Sequence, residues 1–138
     1  MSKTFRCTVV TPARAVFDDA VSYATFPAWD GQQGVLPGQS PILSRLGIGP
    51  MRVDADGGSQ WWLVEGGFAQ IRDDVLMILT ERATPVDELS AAEAEEALVD
   101  ANERARSGGV DRQVVEADQQ RARARKAMAL AHGGNPGH

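Results

Sequence analysis

Hydrophobic and polar residues alternate along the first part of the chain. Over residues 4 to 11, Phe5, Cys7 and Val9 share one face, and Thr4, Arg6 and Thr8 share the other. A period of two is typical of a half-buried strand. Residues 20 to 27 repeat the pattern, and Pro27 is expected to end that strand because proline restricts its neighbour and donates no backbone hydrogen bond.

Turn-forming residues divide this part of the chain into short segments. The predicted turns are Asp18-Asp19, Asp56-Gly57-Gly58, Gly66-Gly67 and Asp73-Asp74, and a continuous apolar run, Val75 to Leu79, follows the last of them. Short strands separated by such turns are typical of a β-sandwich or flattened barrel. We therefore predict an N-terminal β-sandwich domain of short antiparallel strands over residues 1–85.

The pattern changes after Pro85. From Asp87 to Ala131 the chain has no proline and no aromatic residue, and alanine is the commonest residue. This composition favours helix. Ser90 followed by Glu93 forms a capping box, and Gly108-Gly109 interrupts the run. We predict an antiparallel α-helical hairpin over residues 86–138, with helices at about 90–107 and 111–132 and a flexible glycine-rich tail.

Charge is distributed unevenly within this hairpin. The stretch from Asp87 to Glu103 carries seven acidic residues and no base. The stretch from Gln119 to Ala131 carries four bases and no acid: Arg121, Arg123, Arg125 and Lys126. In an antiparallel hairpin the acidic start of the first helix lies beside the basic end of the second, and each end matches its helix dipole.

The apolar seam predicted for the hairpin is thin. It consists of Ala97, Leu98, Ala101 and Ala105 on the first helix and Val114, Ala117, Ala124, Met128 and Ala131 on the second, interrupted by Arg121. Burial of a methyl group contributes only about 0.8 kcal/mol, and isolated helices of this length are marginal. We therefore expect a weakly held, movable hairpin.

The segment from Asp30 to Leu43 is the most turn-rich of the chain. It contains three glycines and two prolines within fourteen residues: Gly31, Gly34, Gly38, Pro37 and Pro41. Glycine permits positive φ and proline fixes φ, so the chain must bend repeatedly here. A tight, partly buried double turn and a docking surface are both compatible with this pattern.

Composition excludes several classes of protein. The net charge of −5 argues against a nucleic-acid binder, and no run of eighteen apolar residues is present to insert into a membrane. Cys7 is the only cysteine, which excludes an internal disulfide and fits a buried thiol in a reducing, cytoplasmic compartment.

Candidate chemistry is sparse. His132 and His138 lie in or beside the glycine-rich tail without cysteine or histidine partners, so we predict no metal site. Gly31-x-x-Gly34 and Gly66-Gly67 lack the helix and the lysine of a phosphate loop, and we expect no cofactor. An alternative function is a free-standing β-sandwich ligand-binding module that uses Trp29, Trp61 and Trp62 as a platform.

Five segments, in this order, resemble the ε subunit of F-type ATP synthases. They are TVVTPARAVFDDAV near the start, DGQQGVLPGQSPIL in the centre, VEGGFAQI (residues 64–71), VLMILTERA (residues 75–83) and the helical stretch after Pro85. The resemblance implies a non-catalytic central-stalk rotor subunit, monomeric when isolated and present once per complex. It also implies a peripheral location on the cytoplasmic face of the bacterial inner membrane.

The resemblance also implies partners and contact residues. The β-sandwich is expected at the foot of the γ subunit, against the ring of c subunits. The ring-facing residues are then Asp30, Gly31, Gln32, Gly34, Pro37, Gly38 and Gln39. The hairpin is expected to rise along γ and restrain ATP hydrolysis, with Arg121, Arg123, Arg125 and Lys126 meeting the α/β catalytic head.

This chain departs from the family pattern at several positions. Gln32 and Gln39 stand where many relatives have glutamate and histidine, so ring contact is expected to use neutral hydrogen bonds and shape. In the Leu89–Ala94 stretch, Ser90 and Glu93 replace the aspartate and arginine of the ATP-binding motif found in some members. We therefore predict no nucleotide binding.

Overall fold

The computed structural model describes residues 3–109 and 111–132. The chain divides into two compact units, Met1–Thr84 and Pro85–His138. The predicted glycine-rich tail, residues 133–138, and His138 within it, lie outside the described residues.

The N-terminal part forms two five-stranded sheets. The strands are β1 Phe5–Val10, β2 Ala15–Val21, β3 Tyr23–Ala28, β4 Gly31–Val35, β5 Ile42–Arg45, β6 Ile48–Ala55, β7 Gly58–Glu65, β8 Phe68–Arg72, β9 Val75–Leu79 and β10 Ala83–Pro85. One sheet has the order β2-β1-β9-β8-β5 and the other β10-β7-β6-β3-β4. The β-sandwich prediction is confirmed, although β1 and β9 pair in parallel rather than antiparallel.

Alternating side chains from both sheets build one core. Phe5, Cys7 and Val9 of β1 are buried together with Met51 and Val53 of β6, as the period of two predicts. Burial, assisted by the nearby charge of Asp18, raises the pKa of the Cys7 thiol to about 12. The only cysteine of the chain is therefore a buried, unreactive thiol.

Two strand boundaries differ from the prediction. Asp18 and Asp19 do not form a turn but continue β2, which is an edge strand. Charged side chains are accommodated on the exposed face of such a strand, and Asp18 pairs with Arg6 of β1 at 2.7 Å. Pro27 does not end β3 but pairs with Gln32 of β4. The register of β3 with β6 stops at Thr25, so the missing N–H of Pro27 interrupts no bond on that side.

The segment from Asp30 to Leu43 is not one loop. Trp29 and Asp30 form a two-residue turn, after which β4 runs back along β3 from Gly31 to Val35. Only residues 36–41 form a loop before β5. The interpretation of the whole segment as one tight double turn is therefore wrong, because an edge strand separates its two turns. Gly31, Gln32, Gln33 and Gly34 lie in this strand, and Gly38 and Gln39 lie in the loop.

The C-terminal part contains two helices, α1 Ala91–Ser107 and α2 Arg112–His132, preceded by a short 3-10 turn, Val86–Glu88. The Oγ of Ser90 accepts a hydrogen bond from the Glu93 N–H at 3.2 Å, as the capping motif predicts. Gly108 takes φ +73, the left-handed conformation typical of a helix C-cap. The predicted pair of C-terminal helices is confirmed.

The apolar seam of the hairpin is only partly as predicted. Ala101 and Met128 are buried, but Val115 and Ala122 are buried in place of Val114 and Arg121. The predicted seam residues Ala97, Ala105 and Ala131 are exposed. The buried face of α2 is therefore offset by one residue from the predicted face. The sequence is compatible with either face, because two valines are adjacent and alanine then alternates with arginine.

Candidate functional site

The β3–β4 turn is an exposed tip fixed to the neighbouring strands. The Trp29 N–H donates to the Arg45 carbonyl at 2.9 Å, and the Gly47 N–H donates to the Pro27 carbonyl at 2.9 Å. Gly31 closes the turn with φ +135, a conformation that side-chain-bearing residues rarely adopt. The backbone of the turn is therefore held in place while its side chains point away from the core.

Large apolar side chains are exposed at the same end of the sandwich. Trp29 is 71% exposed, Phe68 is 50% exposed and Leu79 is 46% exposed. A groove of about 330 Å³ runs between Phe68, Leu79 and the β1–β2 connection. Exposed apolar side chains gathered at one end mark an interaction surface. We call this end the turn end.

The predicted ring-facing residues are not all at the turn end. Asp30, Gly31 and Gln32 lie there, and the Nε2 of Gln32 donates to the Pro50 carbonyl at 3.0 Å. Pro37, Gly38 and Gln39 lie beyond the other end of β4, whose five residues span about 13 Å. Gly34 is in the strand itself, where a Cβ would approach the Tyr23 hydroxyl to 2.8 Å.

The loop of residues 36–41 is also anchored. Gly38 has φ +81, and its N–H donates to the Asp74 Oδ1 at 2.8 Å. Leu36 is 58% exposed and Leu43, in the strand that follows, is 73% exposed. The predicted site is therefore divided into two surfaces at opposite ends of the sandwich. We call this second one the loop end.

The three tryptophans do not form a platform. Trp62 is 4% exposed and packs edge-on against Phe17, with ring centroids 5.2 Å apart. Trp61 stacks on Arg52, and Trp29 is on the separate β3–β4 turn. The arrangement required by the alternative ligand-binding module is absent from the part of the chain that the structure describes.

An arginine cluster on the outer face of β6 was not predicted from the sequence. Arg52 donates to both carboxylate oxygens of Asp54 at 2.9 and 2.6 Å, and its guanidinium lies 5.7 Å from the ring centroids of Tyr23 and Trp61. The bonds from Arg52 and then from the Ser59 hydroxyl lower the pKa of Asp54 to about 2. Arg52 is thus held by one carboxylate and by the faces of two aromatic rings.

The four bases of α2 differ in what they contact. Lys126 pairs with Glu95 of α1, which confirms that the basic end of α2 lies beside the acidic start of α1. Arg121 pairs with Asp118 of its own helix at 2.9 Å. Arg125 lines a cavity of about 70 Å³ with Glu88 and Glu93. Arg123 is exposed.

Polar bonds also join the two helices nearer the connection between them. Arg104 donates to Asp118 of α2 at 2.9 Å and to Asp100 of its own helix at 3.1 Å. Gln119 of α2 donates to Asn102 at 2.8 Å. The bond to Asp118 raises the pKa of Arg104, so this arginine stays charged. We call this set of bonds the Arg104 clamp, and no hydrophobic pattern in the sequence indicates it.

Within residues 3–109 and 111–132, no group of three or more histidine, cysteine, aspartate or glutamate side chains is placed to hold a metal ion. Over the same ranges, no helix is long and apolar enough to cross a membrane.

Comparisons with known proteins agree with the fold. Residues 4–86 match the family described as ATP synthase, Delta/Epsilon chain, beta-sandwich domain. The ATP synthase epsilon chain of Rhodopirellula baltica is 40% identical over 120 residues, which cover 87% of this chain and 94% of that one. The epsilon chain of Pelotomaculum thermopropionicum is 39% identical over 102 residues, which cover 74% and 76% of the two chains.

A solved structure shows the same architecture. A chain of the Euglena gracilis mitochondrial ATP synthase, in a structure of its OSCP, F1 and c-ring, superposes with a TM-score of 0.73. It is 26% identical, and the match covers 94% of this chain and 82% of that one. A β-sandwich followed by two C-terminal helices defines the class. The chain belongs to the family of ATP synthase delta and epsilon chains, the accessory rather than catalytic subunits of that complex.

Proposed function

We propose that this chain is the central-stalk rotor subunit that couples rotation of the c ring to γ and the catalytic head. It would be peripheral, on the cytoplasmic face of the bacterial inner membrane. The observation that carries the proposal is the anchored β3–β4 turn with exposed apolar neighbours, in a chain of this family. The presence of a c ring in the Euglena complex supports the ring as the partner.

We assign the two ends of the sandwich to different partners. The two ends of β4 lie about 13 Å apart and lead into different connections. The turn end, with Asp30, Gly31 and Gln32, is the ring contact. The loop end, with Pro37, Gly38 and Gln39, is then left to contact γ through exposed Leu36 and Leu43.

The hairpin is proposed to regulate ATP hydrolysis through its basic helix. Lys126 pairs with Glu95 in the closed hairpin, so an acidic partner would have to compete with Glu95 for its charge. Arg123 is exposed in the closed hairpin and is available to such a partner at once. An acidic surface of the α/β head would thus meet Arg123 first and compete for Lys126 as the hairpin opens.

Nucleotide binding is not part of the proposed function. The cavity beside Glu93 and Arg125 holds about 70 Å³ and is bordered by the carboxylates of Glu88 and Glu93. Small-molecule sites typically measure about 300–1,000 Å³, and carboxylates repel phosphate. Both its size and its charge disfavour ATP.

A matched pair of cysteine variants tests the two contacts. Gln32→Cys places a thiol at the turn end, and Gln39→Cys places one at the loop end. Cys7 is not expected to react with the label, because its thiol is buried and has a pKa raised to about 12. Each variant is assembled into the whole complex and labelled with a thiol-directed photo-crosslinker.

The proposal predicts crosslinks from position 32 to the c subunit and from position 39 to γ. Both yields should be the same for either direction of rotation, since both contacts belong to the rotor. Crosslinks from both positions to the same subunit would contradict the two-ended assignment. The absence of c-subunit crosslinks from position 32, in complexes that contain the chain, would contradict the ring contact.

A further inference from the structure

We infer that Asp74 is a positioning residue for the γ contact, because its carboxylate holds the loop of residues 36–41 in the conformation that γ binds. The inference rests on the proposed function, since it concerns the loop end that is assigned there to γ. The bond that carries it runs from the Gly38 N–H to the Asp74 Oδ1, at 2.8 Å. The two residues are 36 positions apart, so this bond joins the loop to the β8–β9 turn.

The backbone conformation of Asp74 is the first support. Asp73 and Asp74 form the two-residue turn between β8 and β9, with φ +52 and φ +58. A two-residue hairpin turn with positive φ at both positions favours glycine at the second one. Aspartate tolerates the left-handed conformation, but at a cost that glycine does not have. We therefore attribute the aspartate at position 74 to the bond that its side chain makes.

The place of Asp74 in the sandwich is the second support. Its carbonyl oxygen accepts a hydrogen bond from the Arg6 N–H of β1 at 3.0 Å, while its carboxylate accepts the bond from the loop. The turn leads into β9, which lies between β1 and β8 within its sheet. Asp74 therefore connects the loop to a strand that is paired on both sides.

The loop itself presents apolar side chains. Leu36 is 58% exposed, and Leu43, just after the loop, is 73% exposed. Burial of such side chains against a partner is more favourable when the loop is already ordered, because less conformational entropy is lost on binding. A hydrogen bond to a carboxylate is stronger than a neutral one, and it strengthens further when a partner excludes water. Asp74 thus lowers the cost of ordering the loop for γ.

The test compares two glycine variants of the same turn. Asp74→Gly removes the carboxylate that holds the loop, whereas Asp73→Gly removes one that lies 3.7 Å from exposed Arg72. Both variants replace an aspartate at positive φ with the residue that this conformation favours, so the turn is preserved in each. Asp74→Asn is the rescue variant, because its amide oxygen accepts a hydrogen bond and asparagine tolerates the left-handed conformation.

Binding of each full-length variant is titrated against the purified catalytic head that contains γ but lacks this chain. We expect Asp74→Gly to bind roughly three- to tenfold more weakly than the wild type. Asp73→Gly and Asp74→Asn should bind like the wild type. In the isolated chain, amide exchange at Gly38 should be faster in Asp74→Gly alone, while the amides of β8 and β9 exchange as in the wild type.

Equal binding by the two glycine variants overturns the inference and leaves the γ contact standing, even if Gly38 exchanges faster. Binding by Asp74→Asn as weak as that of Asp74→Gly also overturns it, because loss of the accepted bond would not be the cause. Loss of exchange protection throughout β8 and β9 in Asp74→Gly would assign Asp74 to the fold and overturn the positioning role. A wild-type chain that does not bind the head, and whose Gln39→Cys variant gives no γ crosslink, overturns the proposed γ contact itself.

Discussion

Asp54 is the residue whose protonation most clearly affects stability. Its pKa is lowered to about 2 by Arg52 and Ser59, so the folded state favours the carboxylate. A depressed carboxyl pKa contributes stability above the ordinary pKa near 4, and that stability is lost as the pH falls toward the folded value. The side chains of Arg52 and Asp54 are 36% and 25% exposed, so solvent screening reduces the contribution.

Replacement of Asp54 with Asn should therefore destabilise the chain at neutral pH by about 1–2 kcal/mol. The difference from wild type should shrink as the pH falls from about 5 to about 2. Urea unfolding over this pH range measures it, with Glu81→Gln, an exposed carboxylate, as the control. A difference that stays constant with pH would show that the Arg52–Asp54 bond does not carry the effect.

Gly67 is the glycine that the fold requires most strictly. It has φ +102, and a Cβ there would lie 1.9 Å from the Leu79 carbonyl oxygen. Gly67→Ala should cost about 3 kcal/mol or more, because both the conformation and the space exclude a side chain. Gly57→Ala is the matched control, since nothing lies within 4 Å of its added Cβ. Equal unfolding midpoints in urea would contradict this account of the β7–β8 connection.

Among the elements, the strands with alternating apolar residues were predictable and the polar edge strands were not. β1 shows a clear period of two because one face of it is buried. β4 reads Gly-Gln-Gln-Gly-Val and buries only Val35, so its pairing with β3 leaves no hydrophobic pattern in the sequence. The division of the predicted contact surface between two ends followed from this hidden strand, and only the structure reveals it.

The structure of the helical hairpin was also only partly predictable from the sequence. Its helices and the Ser90 cap were predictable because propensity and capping are local properties. The burial of Val115 rather than Val114 was not, since the choice depends on how α2 packs against its neighbours. The Arg104 clamp was missed for the same reason, because Asp118 is fourteen residues away from Arg104 in the chain.

The Arg104 clamp should contribute to closure of the hairpin. Arg104→Ala removes the bonds to Asp100 and Asp118, and both members of the interhelical pair are about one-third exposed. We expect weaker closure of the hairpin, seen as faster amide exchange in α2. Arg106→Ala, an exposed arginine on the same helix, is the control. Equal exchange in the two variants would assign hairpin closure to the apolar seam alone.

For the whole molecule, the two compact units predict separable roles. The core of the β-sandwich is built from residues of the N-terminal part, so a chain ending at Thr84 should fold and assemble on γ. If the hairpin restrains the catalytic head, complexes carrying this truncation should hydrolyse ATP faster than complexes with the full chain. Equal hydrolysis, with and without a membrane potential, would contradict a regulatory hairpin and leave the stalk role intact.

The most direct test of the stalk role is ion-driven ATP synthesis in membranes whose complexes lack this chain. Coupling requires a rotor contact that links the ring to γ, and the proposal places this chain in that contact. Synthesis should be lost without the chain and restored by the full-length protein and by the truncation ending at Thr84. A variant with Trp29→Leu and Asp30→Asn should restore it less well. Membranes that synthesise ATP equally well with and without the chain would contradict the account.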